Sequence, residues 1–206
     1  MINKAGRPSD MAKRDAIVQA ASHRFMTDGY AATSIEQIAA DAGVSKVTVY
    51  NHFGDKRQLF TVAVELECEK MRSAFSLEDR QTGTIRERLQ AIGEAMAAFL
   101  LRPEMIRFDR RISAETEHDP AIGHAFLEAG PWRMKKAFGD FLARASVVGD
   151  LDISDPDLAA EQFAAMTKGM GDLELRFGAE PDERRAKARI AGAVDVFLAA
   201  YGSDGA

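Results

Sequence analysis

Residues 33–53 read TSIEQIAADAGVSKVTVYNHF, and this stretch decides the fold. Thr33 or Ser34 can cap a short helix, because a hydroxyl at that point accepts one of the amide protons that the first turn leaves unpaired. Glu36 or Gln37 falls three residues later, where a side chain can reach back and complete a capping box. Ile35, Ile38, Ala39 and Ala42 recur at helical spacing and give that helix one apolar face. Gly43 supplies a residue free to take positive φ, which ends one helix and redirects the chain. Val44 fills the angle, and Ser45 caps a second helix whose apolar side is Val49 and Phe53. Lys46, Val47, Thr48, Tyr50, Asn51 and His52 are left on its outer sides. A helix that only supports a core has no need of so many hydrogen-bonding groups there. A helix that meets base edges and phosphates in the major groove does. The other reading of the same pattern is a helical hairpin with a solvated face.

The charge along the chain agrees with nucleic-acid contact at this end. Residues 1–57 hold eight Lys and Arg against six Asp and Glu, a net of +2 within a chain whose formal charge is −5. The remainder holds nineteen basic and twenty-six acidic residues, a net of −7. Phosphate contact requires local positive charge, so only the N-terminal segment suits DNA.

Outward from the centre, nearly every segment carries the three- and four-residue apolar spacing of helices, with no alternating strand pattern. Glycines and prolines punctuate it, and the spacing predicts an all-α chain of about nine helices. They fall near 10–28, 34–41, 45–52, 55–78, 84–101, 103–117, 120–146 (broken at Gly130-Pro131), 156–177 and 181–201. Asp119, Asp155 and Glu180 each precede a proline, which suits a cap followed by a first-turn proline. The first eight or so residues and the tail from Gly202 are expected to be disordered. No apolar run approaches a membrane span, the N-terminus lacks the apolar core of a secretory signal, and Cys68 is the only cysteine. A cytoplasmic protein without an internal disulfide is expected. The chain has no glycine-rich phosphate loop, no nucleophile elbow and no HExxH, so an enzyme is not expected.

Residues 14–60, RDAIVQAASHRFMTDGYAATSIEQIAADAGVSKVTVYNHFGDKRQLF, resemble the DNA-binding domain of the tetracycline-repressor (TetR) family of bacterial regulators. The matching pieces are FMTDGYAATS, IAADAGVS, TVYNHF and DKRQLF. The stretch from Arg110 to Gly178, including RRISAETEHDPAIGHAFLEAGP and ISDPDLAAEQFAAMTKG, is similar to the C-terminal domain of the AefR-like members. The resemblance implies three N-terminal DNA-binding helices over 9–56 and a larger helical ligand-sensing and dimerisation domain over 57–202. It also implies a homodimer on a palindromic double-stranded DNA operator, released by a small-molecule effector, with repression as the usual outcome and no cofactor. A helical sensing module without sequence-specific DNA binding is the alternative.

By the same resemblance Lys46, Val47, Thr48 and Tyr50 fall at groove-facing positions, and Ser34, Ser45, Asn51, His52 and Lys56 where phosphates are held. Lysine reaches guanine acceptors or phosphate, Val and Thr meet a thymine methyl, and Tyr offers a hydroxyl on a rigid ring. Val47 departs from a position where Gly, Ala or Pro is frequent, and Asn51 from one where an aromatic is. Asn51 therefore either holds a phosphate or pairs with adenine. Arg7 in the basic arm Lys4–Pro8 either enters a minor groove or stays solvated.

For the effector, Met96, Phe99, Leu100, Phe108, Phe126, Trp132, Phe163 and Met166 are candidate lining residues, since Met and Phe suit an adaptable apolar cavity; plain core is the other reading. The family builds its dimer on the last two helices, where Phe163, Met170, Leu173, Val194, Phe197, Leu198 and Tyr201 are candidates. Arg107, Arg110 and Arg111 either recognise an acidic ligand or form a solvated, ion-paired face. Cys68 is either a redox sensor or an inert buried thiol. His118 and His124, six apart across a helix start, lack the spacing that places two metal ligands on one helical face.

Overall fold

A computed structural model describes residues 10–75 and 83–203. Ten helices occur among them: α1 (Asp10–Asp28), α2 (Ile35–Asp41), α3 (Lys46–Phe53), α4 (Lys56–Phe75), α5 (Ile85–Leu100), α6 (Pro103–Thr116), α7 (Pro120–Ala129), α8 (Pro131–Val147), α9 (Pro156–Arg176) and α10 (Glu183–Tyr201). The fold is all-α. The helix expected over 120–146 is two, because Gly130-Pro131 removes an amide donor and turns the chain between α7 and α8. The last turn expected for α4, residues 76–78, lies outside the described residues.

Local chemistry sets most boundaries. Thr84 caps α5 and closes a capping box with Glu87, while Asp119, Asp155 and Asp182 accept backbone N–H bonds at the starts of α7, α9 and α10. Pro103, Pro120, Pro131 and Pro156 each occupy a first helical position, where a missing N–H costs nothing. The tail is ordered further than expected. Gly202 forms an isolated antiparallel bridge with Leu151, and Ser203 Oγ donates to the Gly149 carbonyl at 2.6 Å; residues 204–206 lie outside the described part.

Two apolar clusters hold the molecule together. One joins α1–α4 to α6 and α7 through Ile17, Phe25, Ile38, Val49, Phe60, Phe108 and Ile122. The other joins α5, α8, α9 and α10 through Leu89, Ile92, Phe138, Leu142, Phe163 and Phe197. The first cluster thus runs without a gap from the N-terminal helices into α6 and α7. Phe60 of α4 is its hub: ring centroids of Phe25, Tyr30 and Phe108 lie 5.3, 5.2 and 6.3 Å away. Among the described residues no helix is long and apolar enough to cross a membrane.

Candidate nucleic-acid interface and internal cavity

The two short helices are built as their sequence dictates. Ser34 Oγ accepts the Gln37 N–H, and the Gln37 side chain returns to the Ser34 N–H at 2.7 Å. Of the two candidate boxes, Ser34 with Gln37 is the one used. Thr33 is instead buried, its hydroxyl donating to the Gly29 carbonyl at 2.7 Å. Gly43 takes φ 65°, which a Cβ would disfavour, and Ser45 caps α3 by accepting the Thr48 N–H at 3.1 Å. Val49 and Phe53 then point into the core, and the register of α3 follows from those two anchors.

With them inside, Lys46, Val47, Tyr50 and Asn51 lie on the exposed side. Val47 is 65% and Tyr50 42% exposed, high values for apolar and aromatic side chains that neighbouring helices leave uncovered. The Lys46 ammonium sits 5.7 Å from the Tyr50 ring centroid and forms an ion pair with Glu36 of α2. That carboxylate pushes the Lys46 pKa up, and Lys46 in turn holds Glu36 below the usual carboxylate range. Thr48 is half-buried, its hydroxyl 2.9 Å from Ser45 Oγ. His52 is half-buried, with Nε2 3.4 Å from Asp10 Oδ1. Lys56, in the first turn of α4, folds inward: its ammonium lies 4.3 Å from the centroid of Tyr30 and 3.4 Å from the Ala31 carbonyl. Burial lowers its pKa. The basic arm with Arg7 lies outside the described residues.

The second site is a cavity of about 510 Å³ enclosed by α1, α4, α5, α6, α8 and α9 with Phe126 of α7, a size typical of small-molecule pockets. Met96, Phe99, Leu100, Phe108, Phe126 and Trp132 line it. Phe163 and Met166 do not. On α9 the cavity is faced by Ala160, Glu161, Ala164, Ala165, Lys168 and Asp172, a stripe about half a turn away from Phe163 and Met166 at 3.6 residues per turn. Phe163 faces the opposite way, its centroid 5.3 Å from Phe138 and 5.2 Å from Phe197. Cys68 lines the cavity, and burial pushes its thiol up to about 11. That leaves it protonated at neutral pH, as an inert thiol is.

Three of the residues expected at a dimer contact are likewise internal. Phe163, Val194 and Phe197 are fully buried within the chain, because they hold α9 and α10 onto α5 and α8. Leu198 and Tyr201 are half-buried against the same core. Met170 and Leu173 are exposed, as is Leu158, which the sequence also offers for that face, and Val196, which it does not. Of the small residues, Ala165, Gly169, Ala191 and Gly192 are exposed, whereas Gly171 and Ala193 are buried. These exposed residues all lie on α9 and α10.

Polar links between the two ends were not legible in the sequence. Arg111 of α6 donates to the Thr27 carbonyl at the end of α1, and Glu115, one turn on, accepts the Ala31 N–H at 3.1 Å. Arg57 of α4 pairs with Asp119 at 3.1 Å. The i, i+4 spacing of Arg111 and Glu115 was visible, but the backbone groups they bind lie 84 residues away. Arg107 and Arg110 are exposed, and none of the three arginines lines the cavity. Arg176 does. Among the described residues no group of three His, Cys, Asp or Glu is placed to hold a metal.

The profile for AefR-like transcriptional repressor C-terminal domains matches residues 87–203, and that for bacterial regulatory proteins of the tetR family matches 17–63. The chain belongs to the TetR family. It is a DNA-binding transcriptional regulator. Among TetR-family structures, it is similar to a regulator from Mesorhizobium loti, at 29% identity and a TM-score of 0.80 over 95% of this chain and all of that one. The flavonoid-responsive regulator FrrA matches at 29% identity and a TM-score of 0.75, over 92% of this chain and 97% of that one. The HTH-type regulator YezE of Bacillus subtilis is 28% identical over 64% of this chain and 69% of its own length. The HTH-type transcriptional activator FasR of Mycolicibacterium smegmatis is 34% identical over 43% of this chain and 40% of its own length.

Proposed function

We propose that this TetR-family chain acts as a homodimer that binds a palindromic operator and leaves it when a small molecule fills the cavity. The observation that carries the reading is α3, whose Val49 and Phe53 are anchored in the core while Val47, Tyr50 and Asn51 stand outward. In this reading residues 9–56 engage DNA. Lys46, Val47, Thr48 and Tyr50 enter the major groove; Ser34, Ser45, Asn51, His52 and Lys56 hold the phosphate backbone. Lys56 reaches a phosphate by swinging off Tyr30, a move that lifts the burial which now lowers its pKa.

Residues 57–202 sense the effector and dimerise. The exposed residues Leu158, Met170, Leu173, Gly192 and Val196 would be covered by the same residues of a second chain, as a two-fold contact requires. Two recognition helices must stand about 34–36 Å apart to enter successive major grooves. A ligand that prefers another spacing releases the DNA, and only to the extent of that preference. The Phe- and Met-rich wall fits an apolar, ring-bearing molecule, in keeping with a neighbour that responds to flavonoids. Repression follows the AefR-like profile, although FasR is an activator.

The test is a titration of labelled DNA from upstream of the chain's own gene at two salt concentrations, with unrelated DNA as control. Tight, salt-sensitive, selective binding that Tyr50→Ala and Lys56→Ala abolish without changing the dimer's mass is the expected outcome. Unchanged affinity in both variants would mean a sensing module that no longer reads DNA through this helix.

A further inference from the structure

The cavity wall is mostly apolar; Ser22 of α1, Glu67 of α4, Lys135 of α8 and Glu161 of α9 add polar groups, and the densest charge cluster lies where α6 meets α9. There Asp109 of α6 faces Arg176, Asp172 and Lys168 of α9. Arg176 Nη2 stands 2.6 Å from Asp109 Oδ2 and its Nε 3.2 Å from Asp172 Oδ2, while Lys168 Nζ is 3.7 Å from Asp172 Oδ2. The four charges cancel. Their hydrogen bonds do not balance: Asp109 Oδ2 is buried, and no donor among the described residues is directed at it. The Arg176 contact is therefore an ion pair at poor angle. A buried carboxylate oxygen held by an ion pair without an aligned hydrogen bond gains from a donor that points at it.

We propose that the effector is a lipophilic cation, a hydrophobic aromatic amine whose ammonium N–H donates to Asp109 and displaces Arg176. This rests on the cavity being the effector site. The preference for a cation over an anion follows from what each would leave behind. An anion that took Arg176 would strand Asp109, a short side chain whose Oδ2 is buried and which burial already pushes towards its protonated form. A cation that took Asp109 leaves Arg176 paired with Asp172, and both Arg176 and Lys168 keep about a third of their side-chain surface in solvent, where long cationic side chains are readily hydrated. No cation among the described lining residues is uncommitted to an acid, since Lys135 is held by Glu161 at 2.8 Å. Displacing Arg176 would also untie α6 from α9, and α6 is the helix that grips the end of α1 through Arg111 and Glu115.

The experiment is calorimetric titration of the full-length protein at pH 7 with three probes that share one body: 2-(1-naphthyl)ethylamine, 2-(1-naphthyl)ethanol and 1-naphthaleneacetate. The amine is expected to bind at least about tenfold more tightly than the alcohol, the difference an engaged ion pair supplies. Asp109→Asn should erase most of the amine's advantage over the alcohol. An amine that binds no better than the alcohol, or an acetate that binds best, overturns the proposal and leaves the cavity reading standing, provided Ala164→Trp, which fills the cavity, abolishes binding. Alcohol binding that survives Ala164→Trp, or no binding by any probe, overturns the cavity reading and the proposal with it.

Discussion

Lys46 is the positively charged member of the outward set on α3, yet in the free protein its charge is already taken by Glu36 across the turn. The pair is solvent-exposed, so it adds little to stability, but it competes with phosphate for the lysine. Glu36→Gln removes both the competitor and a negative charge that would face the DNA. Operator affinity should rise several-fold at low salt, and the slope of log affinity against log salt should steepen by about one. An unchanged slope in a fluorescence titration would show that Lys46 makes no phosphate contact. Cys68 gives a second residue-scale test. Its thiol, raised to about 11 by burial from a usual 9.0, should hold roughly a hundredfold less thiolate than an exposed one at neutral pH. Iodoacetamide at pH 7.5 should therefore label the native protein at least about a hundredfold more slowly than the unfolded chain, followed by mass spectrometry. Comparable rates would revive a redox role.

At the scale of elements, α9 does three jobs with three faces. One face lines the cavity, one is exposed and apolar, and one packs Phe163 between the rings of Phe138 and Phe197. Gly169 interrupts the helix with φ 47° and ψ −149°, so α9 is kinked where a second chain would lie in the proposed dimer. Because Phe163 belongs to the third face, Phe163→Ala should cost about 3–5 kcal/mol in denaturant unfolding, as cavity-forming aromatic truncations do. The dimer's mass in sedimentation should be unchanged at concentrations where the variant is folded. A variant that keeps its stability and falls apart into protomers would return Phe163 to the interface.

For the whole molecule, the proposed dimer rests on the exposed residues of α9 and α10, and the proposed ligand response on the turn at the end of α1. Val196 is 58% and Leu173 46% exposed, so a charge there leaves the protomer's core intact. Val196→Asp with Leu173→Asp should halve the mass seen by light scattering, with helical content retained and operator affinity reduced by orders of magnitude because two half-sites are no longer bound together. Retention of the dimer would place the two-fold axis elsewhere. The path from the cavity to the helices proposed to bind DNA is short: Phe108 and Phe126 line the cavity with their rings 5.8 Å apart, and Phe108 touches Phe60, which packs on Phe25 and Tyr30. Proximity alone does not establish coupling; the element proposed to shift is α6, held to α9 by Asp109 and to α1 by Arg111 and Glu115.

How much of this was legible in the sequence differs between the two ends of the chain. Caps, turns and helical spacing are local, set by a few consecutive residues, so Ser34 and Gln37, Gly43, Ser45, and the anchors Val49 and Phe53 could be read directly, and with them the outward face of α3. The all-α architecture followed from the same local rules, including the break at Gly130-Pro131. An apolar residue on a long helix carries no such information. Burial against the chain's own core, against a ligand or against a second chain all ask for the same hydrophobicity and the same period. Phe163 satisfied every one of those readings, and only its position between Phe138 and Phe197 decided among them. The charged links were hidden for a related reason: Asp109 with Arg176, and Arg111 with Thr27, pair residues 67 and 84 positions apart, and a charge acquires its partner only once the helices are packed.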